Sequence, residues 1–179
     1  ALTCVIQALF NPGDEFIIFE PYYGYHLNTM KVGGVVPKFV SLKPPHWHFT
    51  REMLEAQLTD KTRAIIFSTP TNPSGKVYTR EELQVIADFC NDHDLLAITD
   101  EIYEYIVSDG AEHVSLASLP NMWERTLTIG GFSKTFSVTG WRLGFVVAPE
   151  IFAGPIGLVN DLFYVCAPTP LQYGVAMGM

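Results

Sequence analysis

Apolar positions along the chain come in two kinds of run that take turns. Leu2, Val5, Ile6 and Leu9 recur at helical spacing and predict an opening helix. After the turn Asn11-Pro12-Gly13-Asp14, the run Glu15 to Glu20 (EFIIFE) predicts a short buried strand. A helix over Tyr25 to Val32 closes at Gly33-Gly34, residues suited to a left-handed cap, and Val35 to Leu42 predicts the next strand. Thr50 heads a short helix carrying Met53, Leu54 and Leu58, and Arg63 to Ser68 (RAIIFS) is again a strand. Thr79 and Glu82 form a capping-box pattern, followed by Leu83, Ile86, Ala87, Phe89 and Cys90 along one stripe of a helix. Leu95 to Thr99 is apolar on both faces, as a central parallel strand covered from two sides would be. Val114 to Leu119 reads as short helix or loop, and Thr126 to Ile129 as strand.

Too few residues separate Gly131 from Arg142 for a parallel crossover, which takes about a dozen or more. The strand Arg142 to Ala148 is therefore expected to run antiparallel to its predecessor. Helices follow from Pro149-Glu150, through Val159 and Leu162, and from Thr169-Pro170. Strand and helix alternating in this way predict an α/β fold, a three-layer sandwich whose central sheet is mostly parallel and carries one antiparallel strand.

Open parallel sheets bind ligands beyond the carboxyl ends of their strands, and four such ends carry candidate chemistry. Tyr23, with Tyr22 and Tyr25 close by, can stack on a flat heterocycle or simply pack. Asn72 stands between Pro70 and Pro73, held by stiff backbone or belonging to a tight turn. Asp100 can cap the following turn, bind a metal together with Glu101, or hydrogen-bond a ligand nitrogen. Lys134 lies among Phe132, Phe136 and Trp141, surroundings that would partly desolvate an amine and favour it as a nucleophile. Further on comes Arg142, whose planar fork suits a phosphate better than an ammonium would. Gly130, Gly131, Ser133, Ser137, Thr139 and Gly140 supply turns and phosphate donors around these two. Amine and phosphate clamp together suggest a phosphorylated carbonyl cofactor held as a Schiff base. His46 and His48 could ligate a metal, but with no carboxylate or thiol beside them they read as a solvated loop.

Bulk properties narrow the classes. With 179 residues, 48% of them hydrophobic and 17% charged, the chain can build a substantial core without disulfides. A net charge of −8 argues against nucleic acid as a main partner, yet permits one buried Arg to hold one phosphate. Cys4, Cys90 and Cys166 are widely spaced and read as reduced core thiols of a cytoplasmic protein. No apolar run approaches the roughly 20 residues of a membrane span, and no secretory signal opens the chain. Both ends read as helices broken mid-run, which leaves an organellar transit peptide upstream of Ala1 open.

The stretch Ser133 to Gly144, SKTFSVTGWRLG, closely resembles the lysine segment of the class I/II aminotransferases, the aspartate aminotransferase superfamily of fold type I pyridoxal-phosphate enzymes. Asn72-Pro73-Ser74-Gly75 and Asp100-Glu101-Ile102-Tyr103 match the same family. The resemblance implies that residues 1–179 are the central part of a cofactor-binding large domain, with an N-terminal arm and a C-terminal small domain lying outside it. It implies pyridoxal 5′-phosphate as cofactor: Lys134 carries it as a Schiff base and then serves as general acid/base, Asp100 pairs with the pyridine nitrogen, Tyr103 and Asn72 bond the phenolic oxygen, Tyr23 stacks on the ring, and Ser133 and Arg142 hold the phosphate. It also implies cis bonds at Asn72-Pro73 and Glu20-Pro21. One departure is Gly131, where many relatives carry a phosphate-binding serine.

The implied reaction is amino transfer between an amino acid and a 2-oxo acid, by a homodimer when full length, with no nucleic-acid or membrane partner. The segments look most like the branch of aspartate, aromatic and kynurenine/glutamine aminotransferases. The family's Gly-rich phosphate turn and its substrate-carboxylate arginine fall outside this stretch, so residues 1–179 alone are expected to be inactive. Carbon-sulfur β-lyases and aminocyclopropane-carboxylate synthases share these motifs, and a non-catalytic sensing domain of the same ancestry is a third reading.

Overall fold

A computed structural model describes residues 1–179. Six strands form one sheet in the order β2-β1-β3-β4-β5-β6: β1 Glu15–Glu20, β2 Val36–Ser41, β3 Thr62–Ser68, β4 Leu96–Asp100, β5 Thr126–Gly131 and β6 Gly144–Val147. Every pairing is parallel except β5 with β6, which is antiparallel as the short connection requires. The helices are α1 Leu2–Leu9, α2 Gly24–Val32, α3 Arg51–Glu55, α4 Arg80–Asp92, α5 Glu150–Tyr164 and α6 Thr169–Gly178.

The alternation within β1 shows why the sheet lies in the middle. Ile17 and Phe19 join a core on one face with Ile65, Phe67, Leu83, Ile86 and Phe89. Phe16 and Ile18 join a second core on the other face with Val5, Ile6, Ile66 and Ile98. Side chains of a strand alternate between faces, so an apolar run is stable only where both faces are covered. The capping box forms in full, with Glu82 N donating to Thr79 Oγ1 at 3.2 Å and Thr79 N to Glu82 Oε2 at 3.1 Å. It fixes the start of α4, and with it the turn after β3 that holds Asn72.

Several details differ from the pattern-based expectation. Gly34, not Gly33, takes the left-handed conformation (φ 74°), and a side chain there would meet the Pro12 ring. Thr50 makes no side-chain cap bond. β6 starts at Gly144 because Arg142 is itself left-handed (φ 59°, ψ 39°) after the short turn Thr139–Trp141, which ends extended pairing. His46 and His48 stack on each other at 5.5 Å in an exposed loop. Cis bonds occur at Glu20-Pro21 and Asn72-Pro73, as expected, and also at Pro44-Pro45 and Thr69-Pro70.

The C-terminal helices form where expected but are largely exposed. Ile156 is the one buried side chain of α5 and Val175 that of α6, while Leu158, Leu162, Phe163 and Met177 are exposed. Cys166 is likewise exposed and so is not a core thiol, unlike Cys4 and Cys90. Apolar spacing made these elements helical, but α5 packs along α1 and offers its remaining faces to solvent. No helix is long and apolar enough to cross a membrane.

Candidate active site

The carboxyl ends of β1, β3, β4 and β5 open onto one cavity of about 460 Å³. Tyr23, Asn72, Asp100, Tyr103, Ser133, Lys134 and Arg142 all line it, so the seven residues that the family resemblance assigned to the cofactor are brought together. Backbone bonds lock the strand ends in step: Thr69 N donates to Asp100 O at 3.1 Å and Glu101 N to Ile129 O at 2.8 Å. Asp100 therefore leaves the end of β4 between the segments that carry Asn72 and Lys134.

Asp100 is largely sequestered, its side chain 15% exposed, and its Oδ2 lies 2.8 Å from His26 Nε2. The Ile102 backbone N–H donates to Oδ1 at 3.3 Å. His26, only 5% exposed at the side chain, comes from α2 and was not picked out by the sequence reading. The available signal was its spacing: four residues before the buried Met30, it occupies the stripe of α2 that faces the sheet. A carboxylate fixed by a neighbouring imidazole is an anion aimed at the cavity rather than a turn cap alone.

Tyr23 stands at the start of α2, stacked on Tyr25 with centroids 5.2 Å apart and edge-on to His26 at 5.5 Å. Burial pushes its phenol above the ordinary range, Tyr25, Tyr103 and Asp100 add to the rise, and Arg142 opposes it. Across the cavity Asn72 Nδ2 lies 3.5 Å from the Tyr103 hydroxyl, which pairs the two groups expected to share one acceptor.

Lys134 is half-buried in the turn after β5, and its Nζ sits 5.6 Å from the centre of the Tyr103 ring, a cation–π distance. The expected enclosure by Phe136 and Trp141 does not form, since both are more than a third exposed; Tyr103 is the aromatic neighbour instead. Arg142 is exposed rather than buried, because a left-handed residue in a surface turn projects outward. Its Nη1 donates to Thr139 O at 2.8 Å, and Thr139 Oγ1 donates to Ser133 O at 3.0 Å, so Thr139 links the two expected phosphate residues. Thr139 also lines the cavity. At Gly131 a Cβ would come within 2.9 Å of both Leu143 O and Ile102 Cδ1, which accounts for a glycine at that point.

As a set, these groups offer a flat aromatic face, a fixed anion, a paired amide and phenol, an amine and a guanidinium around one space. That is the donor set a phosphorylated, electron-withdrawing aldehyde heterocycle calls for.

Comparison with known proteins points the same way. The family model described as aminotransferase class I and II matches residues 1–179. Kynurenine–oxoglutarate transaminase 3 of Rattus norvegicus is 48% identical across 98% of this chain, and kynurenine–oxoglutarate transaminase 1 of Homo sapiens is 44% identical across 98%. The chain spans 41% and 44% of those two relatives. Among solved structures, the aromatic aminotransferase from Pyrococcus horikoshii superposes with a TM-score of 0.95 at 39% identity, over 99% of this chain and 48% of that one. A Thermus thermophilus aspartate aminotransferase variant gives 0.92 at 31% identity, over 97% and 45%.

Proposed function

The chain belongs to the class I and II aminotransferase family, and from that membership we propose that the protein transfers an amino group between an amino acid and a 2-oxo acid, using pyridoxal 5′-phosphate bound in this cavity. Bound there, the cofactor would supply an aldehyde to take up the amino group and a pyridine ring to draw electrons from the substrate's α carbon. The observation that carries the reading is that Asp100, at the end of β4, and Lys134, in the turn after the adjacent β5, line one cavity together with every other expected cofactor contact.

Each residue has a task. Asp100, held by His26, keeps the pyridine nitrogen protonated, since a fixed anion beside a base stabilises its charged form. Asn72 and Tyr103 would donate to the phenolic oxygen, and Tyr23 would cover the ring face. Arg142 and Ser133 hold the phosphate, with Thr139 keeping the two in register. Lys134 would hold the cofactor's aldehyde through its amine and, when free, would accept and return a proton at the substrate's α carbon. Homodimerisation, a cytoplasmic setting and a role as the central part of the large domain belong to this proposal and rest on the family resemblance. Kynurenine as donor and 2-oxoglutarate as acceptor are the first pair to try, by analogy with the named relatives.

The test is the absorbance spectrum of the full-length protein with pyridoxal phosphate, before and after borohydride, for wild type and Lys134→Ala. We expect a visible band in the wild type that borohydride converts to a stable adduct, and no adduct in the variant, whose turnover falls by about 10²–10⁴-fold. An adduct of equal yield in Lys134→Ala would remove Lys134 from its role.

A further inference from the structure

Glu101 follows Asp100 directly but takes no part in the cavity lining. Its side chain, 4% exposed, turns into the core side of β4. There Oε1 accepts from Thr99 Oγ1 at 2.9 Å and Ser115 Oγ at 3.0 Å, while Oε2 lies 3.0 Å from His113 Nε2. His113 and Ser115 flank Val114, a buried member of the main core, and Leu116 beyond them is fully buried. The segment that grips Glu101 is therefore anchored independently of the cavity.

We propose that Glu101, held by His113 and Ser115, is a positioning residue that fixes the corner Asp100–Tyr103 so that the carboxylate and the phenol meet the cofactor at set points; this rests on the function proposed above.

Other restraints act at the two ends of the corner: Asp100 is held by His26 and by Thr69 N, and Tyr103 O accepts from Ile106 N at 2.7 Å. Glu101 N bonds Ile129 O and Glu104 N bonds Glu101 O, so Glu101 is the hub on which both ends of the corner turn. Past Glu104 the chain runs through exposed Tyr105, Ile106 and Val107, which give it no packing. A buried carboxylate is a costly way merely to join two segments, since apolar residues do so at least as well. What directional hydrogen bonds add is a fixed orientation. His113 bears the same cost: with Nε2 donating to Glu101, its Nδ1 is buried without any partner. Glu104 stands nearby, its carboxyl raised by burial, with His113 lowering it and Glu101 adding to the rise.

The experiment uses the full-length protein and compares wild type, Glu101→Gln, Ser115→Ala, Tyr103→Phe and the double variant Glu101→Gln/Tyr103→Phe. Three quantities are read: the dissociation constant for pyridoxal phosphate, the pH midpoint of the visible band of the loaded protein, and the melting temperature. We expect Glu101→Gln to weaken binding about tenfold and to raise the midpoint by roughly one pH unit, because a misplaced Tyr103 no longer stabilises the phenolic anion. In the Tyr103→Phe background the same substitution should add a smaller midpoint shift, since the route through the phenol is gone and only that through Asp100 is left. A lower melting temperature with unchanged affinity and midpoint would reduce Glu101 to a fold brace and overturn the proposal. So would a shift that persists undiminished without the Tyr103 hydroxyl. Should Glu101→Gln fail to fold, Ser115→Ala removes one hydrogen bond and keeps the charge; it should move the midpoint less but in the same direction, and no movement would count as refutation. Failure of the wild type to bind pyridoxal phosphate would instead remove the cofactor reading, and this inference with it.

Discussion

The wall of the cavity that carries Asp100 and Tyr103 is tied into the core by side-chain bonds between distant parts of the chain, whereas the wall that carries Lys134 and Arg142 is held by bonds within its own loop. On the first wall, Asp100 meets His26 across 74 residues of sequence, and Glu101 is gripped by His113 and Ser115. On the second, Arg142 bonds Thr139 and Thr139 bonds Ser133, all inside one exposed turn. The contrast suits the two tasks proposed for these groups. Groups that set the electronic state of a ring must keep their angle, while groups that hold a phosphate need charge and reach more than rigidity.

Asp100→Asn should be the most damaging change on the rigid wall. Neutralising the anion leaves the shape nearly intact, so kcat should fall about 10²–10³-fold while the melting temperature moves little. Steady-state kinetics beside a thermal melt decides it, and a kcat within a few-fold of wild type would erase the distinction between the walls. On the loop wall, Arg142→Lys should weaken binding of pyridoxal phosphate by roughly ten- to a hundredfold and leave the affinity for pyridoxal, which lacks the phosphate, unchanged. Equal losses for both ligands in a fluorescence titration would mean that Arg142 acts on the ring or the fold. The smallest effect is expected from Gly131→Ser. It supplies the hydroxyl many relatives have, but its Cβ meets Leu143 O at 2.9 Å, so β5 and β6 must shift, at about 1 kcal/mol or more in a denaturant melt. Unchanged stability would show that the loop side yields freely to crowding.

How much could be read beforehand differs between the same two walls. The bounds of β1 and the capping box of α4 were legible because each depends on neighbours in sequence: four apolar residues between two glutamates, and a threonine with a glutamate three places on. The seven candidate residues were legible because they sit in recognisable motifs at strand ends. His26 was not, since its partner lies in β4 and nothing next to it in the chain signals a carboxylate. Nor was the surface position of Arg142, which follows from a left-handed backbone at a residue that is not glycine. The exposed faces of α5 and α6 were not legible either, because periodicity tells which side of a helix is apolar, not whether anything covers it.

Sequence alone was enough for the alternation of strands and helices, the antiparallel direction of β6 and the candidate residues that meet around the cavity, because these depend on local spacing and on side-chain chemistry. Tertiary structure alone decided which groups hold those residues in place and how far each is shielded from water. Hydrogen bonds and burial are made between segments far apart in the chain, and only the closed sheet sets the distances between them.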